Sequence, residues 1–100
     1  MEVHVTQEGS SARFTLNGKI DESGAEELKA RFLALNRTGL KEVFFDFKGV
    51  SHIGSAGIGK LLLFYKELAI SGGNIRIINT SDAIRDLFRV LKLDTIFTVS

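Results

Sequence analysis

No cysteine occurs among the 100 residues, so disulfides, thiolate metal sites and thiol catalysis are excluded together. Histidine is nearly as scarce: only His4 and His52 can offer imidazole, and no HExxH, aspartate-rich calcium loop or carboxylate cluster accompanies them. Neither a metal nor a cofactor is expected, and both histidines read as ordinary surface or strand residues. Proline is absent, as are repeats, low-complexity stretches and linkers, which leaves one module over residues 1–100. No sign of charge dominates either. The 13 basic and 12 acidic side chains leave a net charge of +1, too little for a global field that holds nucleic acid, anionic lipid or a strongly acidic substrate. The longest apolar run, LLLFY at 61–65, falls far short of the roughly 20 residues that span a bilayer. The opening MEVHVTQEGS lacks a basic region followed by an apolar one, so it is not a secretory signal. The expectation is a soluble cytoplasmic protein with no nucleic-acid or membrane partner.

What is present is the patterning of a small α/β domain. Apolar residues make up 44% of the chain and charged ones 25%, close to the globular average, and a chain of this length buries roughly two thirds of its unfolded surface. Val3 and Val5 share one strand face, the chain breaks at 9–11, and alternation resumes around Phe14 and Leu16, which predicts an antiparallel hairpin. Gly18 interrupts. Asp21 or Ser23 then caps a first helix, Ser23 having capping-box spacing to Glu26; its stripe is Ala25, Leu28, Phe32 and Leu35, and it ends by Gly39. Residues 43–48 place Val43, Phe45 and Phe47 on one face and Phe44 and Asp46 on the other, the signature of a central strand.

A second helix is predicted over 55–71 with Ile58, Leu61, Leu62, Tyr65, Leu68 and Ala69 on its stripe, stopped by left-handed conformations at Gly72 and Gly73. Leu63, Phe64 and Ile70 fall partly off that stripe and are read as core rather than as a docking face. Residues 74–79 form a buried strand through Ile75, Ile77 and Ile78. Thr80 or Ser81 caps a third helix with the stripe Ile84, Leu87, Phe88 and Leu91, whose basic edge of Arg85, Arg89 and Lys92 is solvated. A strand over 95–99 closes the chain. The order β-β-α-β-α-β-α-β with short connections implies an α/β fold: a small, mixed, mostly parallel sheet with an N-terminal antiparallel hairpin and helices packed on it.

Chemistry concentrates in 50–62, VSHIGSAGIGKLL, where three glycines join a buried strand to an apolar helix. Such a junction turns backbone amides outward at the positive end of a helix dipole, suited to a phosphate or carboxylate. GSAGIGK at 54–60 satisfies GxxxxGK, but Leu61 stands where a nucleotide cradle needs a hydroxyl to hold magnesium, and VFFD at 43–46 precedes the loop instead of following it. A nucleotide-binding domain is therefore the third reading. Ser55, at or beside the N-cap, either accepts a bond from an early helix amide, worth about 1 kcal/mol, or is esterified by a kinase. A phosphoserine there would gain about −1.5 to −2 charges, tolerated by the helix start and opposed by a docked partner.

The segment HIGSAGIGKLL resembles the STAS-domain signature of bacterial anti-sigma factor antagonists, an apolar residue followed by DSSG or DSAG and an apolar helix. GKID at 18–21 resembles the second family motif, and the element order agrees along nearly the whole chain. The resemblance implies the STAS fold and a partner-switching protein that performs no chemistry itself. Unphosphorylated, it would bind an anti-sigma factor that is also a serine kinase and so release a sigma factor; phosphorylated at Ser55 it would let go, and a serine phosphatase would reset it. A weak homodimer is compatible with that reading. The implied partner surface comprises Gly18, Lys19, Ile20, Asp21, Ser51, Ile53, Gly54, Ala56, Gly57, Ile58 and Lys60, with Asp21 either touching the partner or simply capping the first helix. One departure matters: the family places Asp immediately before the acceptor, and this chain has Gly54. The change removes a helix-terminus anion worth about 0.3 to 1 kcal/mol and permits positive φ. The alternative is therefore a STAS adaptor or scaffold subunit of a signalling or transport complex that is not phosphorylated.

Overall fold

The computed structural model describes residues 1–100. A five-stranded sheet is ordered β1-β2-β3-β4-β5, from β1 (Glu2–Glu8), β2 (Ser11–Ile20), β3 (Glu42–Ile53), β4 (Asn74–Ile78) and β5 (Thr98–Val99). Only the β1–β2 hairpin is antiparallel; the other three pairings are parallel, each made through one of the helices α1 (Glu22–Leu33), α2 (Ser55–Ile70) and α3 (Asp82–Val90). The predicted order and class are those observed.

Strand alternation sets the layering, because successive side chains point to opposite faces. Ala12, Phe14 and Leu16 on β2, Val43, Phe45 and Phe47 on β3, and Ile75 and Ile77 on β4 are buried, and the helices pack on that face. Phe32 of α1 stacks on Phe64 of α2 with centroids 4.2 Å apart, Phe64 stacks on Phe45 at 6.0 Å, and Phe88 of α3 meets Phe47 edge-on at 6.2 Å. Seven of the eight phenylalanines are fully buried in this arrangement. The eighth, Phe44, is half-buried on the opposite face, where Arg13 lies 5.7 Å over its ring. β3 is central as expected, yet its second face is polar and open instead of helix-covered, with Arg13 paired to Asp46 at 3.7 Å and Arg76 to Glu42 at 2.6 Å.

Several local expectations are corrected. β2 continues through Gly18, which adopts φ +108, because the β2–β3 ladder absorbs an irregularity there and resumes with Lys19 opposite His52 and Ile20 opposite Ile53. Asp21, not Ser23, caps α1: its Oδ1 accepts from the amide of Gly24 at 2.8 Å. Phe64 is core, as expected, but it is the centre of the α2 packing face and not partly off it, while Ala69 is exposed, since the phenylalanine stack turns that face toward Phe32 and Phe45. Leu63 and Ile70 are exposed, the latter 82%, as is Leu91 on the third helix's expected stripe. Gly72 alone is left-handed after α2, at φ +79. Ser81, not Thr80, caps α3 by accepting from Ile84, and Thr80 instead donates its hydroxyl to the carbonyl of Ser100. Of the strand predicted over 95–99 only Thr98 and Val99 form β5: Thr95 ends a 3-10 turn at Leu93–Thr95, entered through left-handed Lys92, and Leu93 and Phe97 are buried beside it.

Candidate functional site

The two motif segments meet at one end of the sheet. Ile20 and Ile53 are register partners at the ends of β2 and β3, and the amide of Gly54 donates to the carbonyl of Ile20 at 3.0 Å. This bond ties the start of α2 to the start of α1. The packing beneath is tight: a β-carbon on Gly57 would lie 2.6 Å from Cγ2 of Ile20 and 2.9 Å from Cγ1 of Ile53. Only a glycine in the first turn lets α2 rest directly on the two strand ends.

Ser55 is the first residue of α2, and the N-cap is Gly54, which has no side chain to cap with. Gly54 sits at φ −96, ordinary extended backbone, so the positive φ that glycine permits is not used. A helix leaves its first amides without intrahelical acceptors, and here no side chain takes them. Ser55 is exposed and its hydroxyl engages nothing in the chain. By contrast the hydroxyls of Ser11, Ser71, Thr80, Ser81 and Thr95 are all committed to backbone groups. The N-cap position considered for Ser55 thus falls one residue earlier, on Gly54, and no side chain fills the capping role.

Around this serine the structure brings together exposed Lys19, Asp21 and Ser51 with partly exposed Gly18, Gly54, Ala56, Ile58 and Lys60. Ile20, Ile53 and Gly57 lie in the same place but are buried; they support the surface and present none of it. Charge divides the rim. Lys19 and His52 lie side by side where β2 and β3 end, while Asp21, Glu22 and Glu26 line the α1 side. Lys60 reaches across to Glu26, 3.6 Å away, over an open groove of about 540 Å³ between α1 and α2 that Glu22, Ala56, Gly59 and Leu63 also line. That pairing holds the lysine to α1 and gives no support to a nucleotide cradle. Sequence reasoning missed Glu26 as its partner, because the two belong to different helices and no spacing relates them. No group of three or more His, Cys, Asp or Glu side chains is arranged to hold a metal ion.

Fold and site together define a small α/β module that presents a free serine at a helix start, between a cationic and an anionic rim. A family model for the STAS domain matches residues 2–100, and the chain belongs to that family. It is 28% identical over 85 residues to BtrV of Bordetella bronchiseptica, a protein assigned as an anti-sigma factor antagonist, covering 85% of this chain and 73% of that one. Among solved structures, an anti-sigma factor antagonist from Mycobacterium paratuberculosis matches with a TM-score of 0.83 at 21% identity, over 98% of this chain and 83% of the other. The Bacillus cell fate determinant SpoIIAA in its phosphorylated form matches at 0.78 and 20% identity, over 99% and 91% of the two chains. No helix is long and apolar enough to cross a membrane.

Proposed function

We propose that this STAS domain is an anti-sigma factor antagonist that works by partner switching in the cytoplasm, with Ser55 as its phosphoacceptor. In the unphosphorylated state it binds an anti-sigma factor carrying serine kinase activity and so frees a sigma factor. The kinase then transfers phosphate: the Ser55 Oγ bonds to the γ-phosphorus of ATP, the bond to the bridging oxygen breaks, ADP leaves, and the hydroxyl proton passes to a base of the kinase. The domain supplies the acceptor and the docking surface and carries out no reaction of its own. A serine phosphatase restores the hydroxyl.

The observation that carries this reading is the unengaged, exposed hydroxyl of Ser55 on the first residue of α2. A dianion added there faces uncapped helix amides, so the fold tolerates it. The same dianion inside a docked interface must be desolvated or repel the partner's acids. The named relatives support the same reading.

One observation favours a second reading. Gly54 removes the carboxylate that the family signature places before the acceptor, which fits an adaptor that docks without being modified. Incubation with the cognate serine kinase and ATP, followed by intact mass, separates the two. One added phosphate that disappears in Ser55→Ala supports the switch. Labelling that persists in that variant overturns the site, and a kinase that binds the domain yet never labels it favours the adaptor.

A further inference from the structure

Lys19 and His52 are register partners on β2 and β3, both exposed, and neither takes part in any of the five ion pairs of the molecule. The imidazole is turned toward the acceptor loop: its Nε2 lies 3.8 Å from where a β-carbon on Gly54 would sit, one residue before Ser55. Glycine at that position places no side chain of its own beside the imidazole. We infer that Lys19 and His52 form a cationic clamp that takes up a phosphate carried on Ser55 and draws it to the sheet side of the rim.

The inference rests on Ser55 being the phosphoacceptor and adds how the modified form is held. The remaining charges favour that direction. On the other side of the loop, Asp21 and Glu22 open α1 and repel a dianion, while Glu26 and Lys60 are occupied with each other. Glu2 lies opposite Asn17 on the far side of β2, and Asp46 is committed to Arg13 and Asn79 further along β3, near Lys48. The clamp thus replaces a fixed carboxylate before the acceptor with mobile cations beside it.

The test uses the full 100-residue chain made by chemical synthesis with phosphoserine at position 55, in wild-type sequence and with His52→Gln, Lys19→Gln or His4→Gln. The phosphorus resonance is followed by NMR across the second ionisation of the phosphate. A nearby cation favours the dianion, so the wild-type and His4→Gln chains should reach their midpoint about half a pH unit below His52→Gln and Lys19→Gln, roughly a threefold change in proton affinity for an exposed pair. Equal midpoints in all four chains overturn the clamp. Because the phosphate is built in, the titration does not depend on any kinase. Failure of a kinase to label Ser55 would remove the switch without altering the curve, and equal midpoints would remove the clamp while leaving the switch intact.

Discussion

Single residues decide where this surface sits. Gly57 was legible in the sequence as part of a signature, but its reason was not, because a close approach between a helix turn and two strand ends has no mark in periodicity. The structure supplies it: Gly57→Ala places a methyl group within 3 Å of the Ile20 and Ile53 side chains. Overpacking of this kind costs about 1 to 3 kcal/mol, so the urea midpoint should fall by that equivalent, and an unchanged midpoint would contradict the tight contact. Asp46 shows a different kind of control. Burial pushes its carboxyl up, but the amide of Lys48, the side-chain amide of Asn79 and the charges of Arg13 and Lys48 outweigh that and hold it below its ordinary value. A carboxyl lowered in the folded state stabilises above its unfolded value, near 4, and that contribution is lost as the pH falls through the lower, folded value. Asp46→Asn should therefore flatten the loss of stability below about pH 4, as read from denaturation midpoints across pH; an equally steep loss would exclude Asp46 as a source.

At the scale of elements, patterning read the hairpin, the three helices and the central strand from apolar spacing alone. It failed where tertiary contacts override periodicity. Phe64 fell partly off the expected stripe because a stripe weighs residues equally, whereas the stack of Phe32, Phe64 and Phe45 sets the rotation of α2. The final strand was misread because Thr95, Ile96, Phe97 and Val99 favour extended structure in isolation, while left-handed Lys92 and the 3-10 turn bury Leu93 and Phe97 instead. Caps were only half legible. Both Asp21 and Ser23 are good cap residues, and the structure uses Asp21. Asp21→Ala should cost about 1 kcal/mol of stability, measured by thermal unfolding. A loss of partner binding larger than that, with the fold intact, would show that Asp21 also touches the partner.

The whole molecule joins a helix-covered sheet face to an open polar one, and the candidate surface lies at the sheet end where the two motif loops meet. The class and the element order followed from the sequence, because βαβ units with short connections leave few arrangements. The charge division around Ser55 did not, since it depends on Lys19 and His52 meeting across a parallel ladder that spacing alone does not reveal. A rigid domain with an exposed acceptor should change its partners without changing its fold. The decisive measurement is therefore the affinity of the cognate anti-sigma kinase for the synthetic chain, with and without phosphate on Ser55, alongside the melting temperature of each. The account predicts binding weakened at least a hundredfold, equivalent to about 2.7 kcal/mol, with both forms melting within a few degrees of each other. Equal affinity for the two forms would contradict it.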